Sequence, residues 1–309
     1  MTLRLGVGDI QQAAELLRAG KVVAFPTETV YGLGANALDA DAVARIFASK
    51  GRPPSNPLIV HVADIEQARG LAEWNDSAQS LAERFWPGPL TLVLPKRAVP
   101  DIVTAGGPTV ALRMPAHPVA LALLRAAGVP LAAPSANLSG GISATRAEHV
   151  LAGLDGKIDA VLDGGAAPGG IESTVVGLAP PRLLRPGLLS VADIEAVIGP
   201  LLRGAGEGTH LPSPGLLERH YAPRTPFVVV EDAASHVKPG EGLLTHLEHG
   251  SRIVERLPAD PAGYAAGLYD ALHRLDAMGL ARLWAEALPE GEEWLALRDR
   301  LRRASTPRP

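Results

Sequence analysis

Apolar and polar positions along the first two thirds of the chain switch repeatedly between a helical period and short strand-like runs. IQQAAELLRA carries apolar residues at helical spacing, with Asp9 as its expected N-cap and Gly20 as its stop. KVVAF reads as a β-branched strand, PTETVYGLGAN as a loop and DADAVARIFASK as a helix. LIVHV is a further strand, and helices are expected over 65–72 and 77–85. WPGPLT turns into the strand LTLVLP, TVALRMP is another strand, and HPVALALLRAAG is a helix. PLAAPSANLSG starts as a strand and ends as a loop. Thr145 and Glu148 fit a capping box that opens the next helix. DAVLDGG, STVVGL and RLLRPG are three short strands, and Ser190 caps the helix VADIEAVIG. Strands that follow one another without a helix between them predict a mixed sheet rather than a strictly parallel one.

The pattern breaks after residue 200. RGAGEGTHLPSPGLLERHYAPRTP is rich in Gly, Pro and polar residues and reads as a linker. FVVV is again a strand, and Asp260 with Pro261 opens a helix whose Leu268, Leu272 and Leu275 share a stripe. LARLWAEAL fits a strand or a short helix. EEWLALRDRLRRA is a final helix, acidic at its start and basic at its end, as the helix dipole favours. The expected organisation is a domain over 1–200, a linker over 201–224 and a small α/β domain over 225–309. The terminal STPRP reads as a disordered tail, and no internal repeat is evident.

Composition narrows the chemistry. With 309 residues the chain is long for one domain, and its 47% hydrophobic but only 4% aromatic content demands aliphatic cores. A net charge of −4 argues against a bulk electrostatic grip on nucleic acid. The absence of cysteine excludes disulfides, a thiolate nucleophile and cysteine-based metal centres. MTLRLGVGDI lacks the apolar region of a signal peptide, and no run of about 18 apolar residues appears. The expectation is a cytoplasmic protein that does not enter a membrane.

Candidate chemistry begins with cations. Lys50 and Arg52 flank a helix end in SKGRPPSNPLIVHV, where they could answer the dipole or, held by prolines, an anion. Arg113 lies in an otherwise apolar strand, so it needs an anionic partner, either a protein carboxylate or a ligand. Arg185 in RLLRPG repeats the pattern, and together these residues look like a phosphate or carboxylate clamp. Small polar loops end three strands: Thr27, Thr29 and Tyr31; Ser135, Asn137, Ser139 and Ser143; Ser173 and Thr174. Strand ends are where open α/β sheets bind ligands, although each loop alone is also ordinary turn chemistry. His61 closes an apolar strand and, alone, is more often a core residue than a ligand. No Walker A loop, G-x-G-x-x-G, H-E-x-x-H or G-x-S-x-G occurs. The residues alone therefore indicate an anion or nucleotide site in a mixed α/β domain, with no dedicated metal site.

The segments GKVVAFPTETVYGLGANA, SKGRPPSNPLIVHV, FWPGPLTLVLP, VALRMPAHP, APSANLSG and STVV resemble, in order and spacing, the YrdC-like domain. SPGLLERHYAPRTP resembles the linker, and the C-terminal block the Rossmann-like second domain, of its two-domain form, the L-threonylcarbamoyladenylate synthases. The resemblance implies a twisted open mixed sheet with helices, and synthesis of threonylcarbamoyl-AMP from L-threonine, bicarbonate or carbon dioxide and ATP. Pyrophosphate is released, and the product serves threonylcarbamoyladenosine modification of tRNA. It implies that Lys50 and Arg52 are catalytic and, with Asn56, face the phosphates, while Thr109, Ser135, Asn137, Ser143 and Arg185 complete the ATP site. Thr29, Tyr31, His61, Arg113 and Ser173 would hold threonine. The linker would form a lid, with Ser213, His220 and Tyr221 on the nucleotide. Mg²⁺ would arrive with ATP, and a tRNA-modifying transferase would be a transient partner. The rival implied by the same fold is a non-catalytic RNA-binding module, with no stable nucleic-acid complex expected of the synthase.

Overall fold

The computed structural model describes residues 1–204, 219–247 and 253–307. In chain order the first domain contains β1 (Leu3–Leu5), α1 (Ile10–Arg18), β2 (Val23–Phe25), β3 (Gly32–Asn36), α2 (Ala40–Lys50) and β4 (Ile59–His61). It continues with α3 (Ile65–Leu71), α4 (Asp76–Phe85), β5 (Leu90–Pro95), α5 (Asp101–Thr104), β6 (Thr109–Arg113), α6 (Pro118–Ala127) and β7 (Leu131–Ala132). It ends with α7 (Ala147–Leu154), β8 (Ala160–Leu162), β9 (Thr174–Leu178), β10 (Pro181–Arg185), α8 (Val191–Ile198) and β11 (Leu202–Arg203). Among the described residues these strands form one sheet in the order β1-β8-β2-β3-β7-β4-β6-β5-β9-β10-β11. Parallel pairs such as β4–β6 and β5–β9 alternate with antiparallel pairs such as β5–β6 and β9–β10. The sheet is therefore mixed, as the succession of strands predicts.

The period of two along each strand separates the faces of this sheet. Val60, Leu112, Leu92 and Val176 point to one side and join the main core with residues of α2, α3 and α4. Their neighbours Ile59, Ala111, Val93 and Val175 point to the other side and form, with Leu184, a small separate apolar cluster. Registry places Ile59 opposite Ala111, Ala111 opposite Val93 and His61 opposite Arg113, so polar and apolar residues of this second face lie in rows across the strands.

Three stretches differ from the sequence expectation. GLGAN is strand β3, not loop, and pairs with β2 through Val23 opposite Gly34. Glycine is required there, because a Cβ on Gly34 would lie 2.7 Å from Phe25 Cε1. Low β-propensity hid a strand whose small residues make room for an aromatic ring. The capping box at Thr145 does not form: α7 starts at Ala147, and Thr145 Oγ1 lies 3.3 Å from His149 Nδ1. Asp9 precedes α1 without capping it and instead accepts from the Gly6 amide at 2.8 Å. Ser190 and Asp260 do cap their helices, accepting from Asp193 N at 3.1 Å and Gly263 N at 2.8 Å.

The second domain contains β12 (Phe227–Val230), β13 (Gly242–Thr245), β14 (Val254–Arg256), α9 (Pro261–Ala277), β15 (Leu283–Glu286) and α10 (Leu295–Ser305). Its sheet has the order β12-β15-β13-β14 with all pairs parallel. The ambiguous LARLWAEAL is thus a strand, inserted between β12 and β13. Helices α9 and α10 close onto the first domain: Tyr264, Leu268 and Leu297 share a core cluster with Val30, Ile142 and Ile171. Among the described residues no helix is long and apolar enough to cross a membrane.

Candidate active site

The C-terminal ends of parallel strands β4 and β6 set His61 beside Arg113 on the second face of the main sheet. Arg113 is nearly inaccessible, and its guanidinium is set among three neighbours. It donates to Thr29 Oγ1 at 2.9 Å and to the Gly88 carbonyl at 3.3 Å, and pairs with Glu28 Oε1 at 2.7 Å. Thr27 Oγ1 lies 2.7 Å from Thr29 Oγ1 and donates to the Val30 carbonyl, which locks the loop. Burial favours the neutral form of Glu28, but Arg113 outweighs it and keeps the carboxylate below its ordinary pKa. Sequence reasoning demanded an anion for Arg113 and missed that Glu28, inside the quoted PTETVYG, supplies one.

His61 packs edge-on to Phe25, with ring centroids 6.0 Å apart, and its buried Nδ1 has no partner. Ser173, at the start of β9, shares a 2.8 Å hydrogen bond with Thr91 on β5. Arg185, at the end of β10, donates to the Ser173 carbonyl at 3.0 Å and to its Oγ at 3.2 Å. Tyr31 lines the same cavity, but its hydroxyl donates to the Gly165 carbonyl at 2.6 Å.

Lys50 does not answer the dipole of its own helix. Helix α2 ends at Gly51, whose φ of 59° turns the chain, and the buried Lys50 ammonium donates to the carbonyls of Ser135 and Asn137. Arg52 donates to the Asn56 and Pro57 carbonyls, at 3.3 and 2.9 Å. Burial first, and then the charge of Arg52, hold Lys50 well below its ordinary pKa. Burial, together with Arg185, brings Arg52 down to about 10. Asn56 is 1% exposed, and neither of its amide atoms has a partner. Asn137 donates to the Leu138 and Gly141 carbonyls, while its Oδ1 is unpartnered. Thr109 opens β6 on the same face as Ala111 and Arg113. Ser143 turns its hydroxyl to Glu172 Oε1, at 2.6 Å. Ser213 lies outside the described residues.

His220 and Tyr221 come from the linker and close this space. Both are buried, their rings 4.1 Å apart, and Tyr221 has a left-handed φ of 62°. The cavity between them and the sheet is lined by Thr29, Arg52, His61, Arg113, Ser135, Ser173 and Arg185, and its volume is only about 50 Å³. Glu172 also lines it, although nothing in the sequence singled it out. Lys50, Asn56, Thr109, Asn137 and Ser143 are not on its wall: Lys50 and Ser143 bond the wall residues Ser135 and Glu172, whereas Thr109 lies at the opposite end of β6 from Arg113. The arrangement places a buried guanidinium, Arg113, at one end of an apolar sheet face and a group of cations beside it.

Two buried imidazoles make the fold sensitive to acid. His61 is pushed down to about 3 by burial and by Arg113, and His220 to about 3, chiefly by burial. Each takes up a proton near 6.5 in the unfolded chain and stays neutral in the fold, so the stabilisation is complete above that value. It falls as the pH drops from 6.5 toward 3, by roughly 1.4 kcal/mol per pH unit for each group. Urea unfolding between about pH 7 and 5 is expected to give a shallower pH slope for His61→Gln than for the parent. Identical slopes would exclude His61 as a source of the acid sensitivity.

Residues 15–187 match the family described as "Telomere recombination", and residues 189–306 match "Threonylcarbamoyl-AMP synthase, C-terminal domain". Threonylcarbamoyl-AMP synthase of Bacillus subtilis is 46% identical over 96% of this chain and 93% of its own length. The Pyrococcus abyssi protein of the same name is 47% identical over 98% of this chain and 95% of its own. The fold matches the crystal structure of P. abyssi Sua5 complexed with L-threonine at a TM-score of 0.93 and 43% identity, covering 99% of this chain and 97% of that one.

Proposed function

The chain belongs to the two-domain threonylcarbamoyl-AMP synthase family, and from that premise we propose how its buried site performs the reaction. The protein makes threonylcarbamoyl-AMP from L-threonine, bicarbonate or carbon dioxide, and ATP; pyrophosphate is released, and the threonylcarbamoyl-AMP serves the modification of tRNA adenosine. The observation that carries this reading is a buried arginine, Arg113, beside His61 and Ser173, with Lys50, Arg52 and Arg185 grouped next to it.

Arg113 takes the threonine carboxylate, a role that suits a planar donor fork already fixed by Glu28 and Thr29. Neutral His61 and Ser173, with Thr29 and Tyr31, shape the rest of the amino-acid pocket. Lys50, Arg52 and Asn56 face the triphosphate, and Thr109, Ser135, Asn137, Ser143 and Arg185 surround the nucleotide. The two unpartnered amide atoms of Asn56 support this, since buried polar groups without partners are rare. The threonine amine adds to carbon dioxide with loss of a proton, or condenses with bicarbonate with loss of water, to give an N-carboxylate. Its oxygen attacks the α-phosphorus, the bond to the β-phosphate oxygen breaks, and pyrophosphate leaves. Negative charge accumulates on the phosphoryl oxygens in the transition state, where fixed cations stabilise it most. Mg²⁺ would enter with the ATP substrate and supply charge neutralisation on its phosphates, with few or no protein ligands, since Glu28 and Glu172 are paired with Arg113 and Arg300.

The cavity is only about 50 Å³ with His220 and Tyr221 in place, which fits their withdrawal when nucleotide enters. We assign them to a lid that closes over the reactants and shields a labile carbamate and mixed anhydride from water. The reaction would take place in the cytoplasm, with product passed to a tRNA-modifying transferase. Pyrophosphate release from ATP, with threonine and bicarbonate each supplied or omitted, tests the reading. Release is expected only with both present. Release indifferent to threonine would overturn it.

A further inference from the structure

Glu172 is a buried carboxylate on the wall of the cavity, directly before Ser173 in the chain. Two of its hydrogen-bond donors come from the second domain. Arg300 Nε of α10 reaches Oε2 at 2.7 Å, and the Tyr269 hydroxyl of α9 reaches the same oxygen at 3.1 Å. The other oxygen accepts from Ser143. Arg300 is itself fully buried, and its fork is divided among three structures. Besides Glu172, it donates to the Pro186 carbonyl at 3.0 Å and to Asp299 at 2.9 Å. Its face lies 5.1 Å from the ring centroid of Tyr221. Tyr221 in turn stacks on Tyr269, with centroids 5.8 Å apart. One guanidinium of the second domain therefore touches the residue before Ser173, the residue after Arg185 and the closing aromatic of the linker.

We propose that Arg300 is a positioning residue for the synthase reaction. It holds the segments that carry Ser173 and Arg185 at their working separation, and its cationic face gives Tyr221 a docking point when the site closes. A planar fork is needed for this: a lysine would keep the charge but could not make three in-plane bonds and a stacked face together. The inference rests on the functional reading above and adds to it a residue from the second domain.

The test compares full-length parent, Arg300→Lys and Tyr269→Phe. The latter removes a single hydroxyl from Glu172 and retains the ring. Two measurements are made on protein whose unfolding midpoint shows it folded at the assay temperature. Titration calorimetry with the non-hydrolysable analogue β,γ-imido-ATP reports binding without turnover. Steady-state pyrophosphate release reports kcat and KM for ATP and threonine. Arg300→Lys is expected to weaken analogue binding about tenfold and raise the KM for ATP in parallel, and Tyr269→Phe to shift both by about threefold. In a double-mutant cycle, Arg300→Lys combined with Tyr221→Leu is expected to lose less than the sum of the single losses, because both disrupt one contact. Parent-like binding and KM in both single variants, or strictly additive losses in the cycle, would overturn the proposal. Should Arg300→Lys not fold, the Tyr269→Phe shift decides. A parent that binds the analogue yet releases no pyrophosphate would refute the functional reading, while the calorimetric comparison would still judge the positioning of the nucleotide site.

Discussion

Arg113→Met is expected to lower kcat/KM for threonine by about a thousandfold, or about 4 kcal/mol. The lost fork is the proposed partner of the substrate carboxylate. Arg113→Lys is expected to recover little of the loss, because one ammonium cannot replace donors that serve Thr29, Gly88 and Glu28 at once. Removing Arg113 also strands the carboxylate of Glu28 in a buried site, which costs about 3–5 kcal/mol of stability. The two effects separate in Arg113→Met/Glu28→Gln, whose urea midpoint should return toward the parent while activity stays low. Threonine binding by calorimetry is the deciding measurement. A single variant that still binds threonine with parent affinity would take Arg113 out of the substrate site.

Gly187→Ala is expected to be strongly destabilising although it adds a single methyl group. A Cβ at Gly187 would lie 2.3 Å from Ser173 C and Thr174 N and 2.5 Å from Glu172 O. All three atoms are backbone, so no rotamer change relieves the clash, and the start of β9 must move. The cost is at least about 3 kcal/mol, a fall in melting temperature of roughly 6–12 °C. The displaced backbone carries Ser173, whose carbonyl and hydroxyl receive Arg185. Activity measured well below the melting transition should therefore fall further than the folded fraction. A variant with the parent's midpoint and turnover would show that the two segments approach less closely than described.

Much of this site was legible because strand periodicity and charge cost act locally. A charge on the apolar strand TVALR had to be paired, and strand ends had to carry the polar loops. The carboxylates were harder to read. Glu28 looks like any loop acid until Arg113 is brought to it from another strand. Glu172 is fixed by an arginine 128 residues further along the chain. Arg300 itself sits in a helix whose basic end was read as a response to the dipole, yet its exposure is 0%. Charge patterning describes the average surface of a helix and says nothing of which cation faces another domain. Strand β3 was hidden for the opposite reason: its glycines carry no β signal, because their value lies in the space they leave for Phe25.

The carbonyl partners of Lys50 and Arg52 have a consequence for the energetics of the whole chain. Among the described residues their hydrogen bonds go to the neutral oxygens of Ser135, Asn137, Asn56 and Pro57. Carbonyls satisfy the donors but do not cancel the charges: beyond burial, Arg52 lowers the affinity of Lys50 for its proton, and Arg185 that of Arg52. The fold thus holds like charges together at a cost to its own stability, and a polyanion that neutralises them relieves the repulsion. Loading and folding are then linked: whatever binds the native state at these cations also shifts the folding equilibrium toward it, by an amount set by its concentration relative to its dissociation constant.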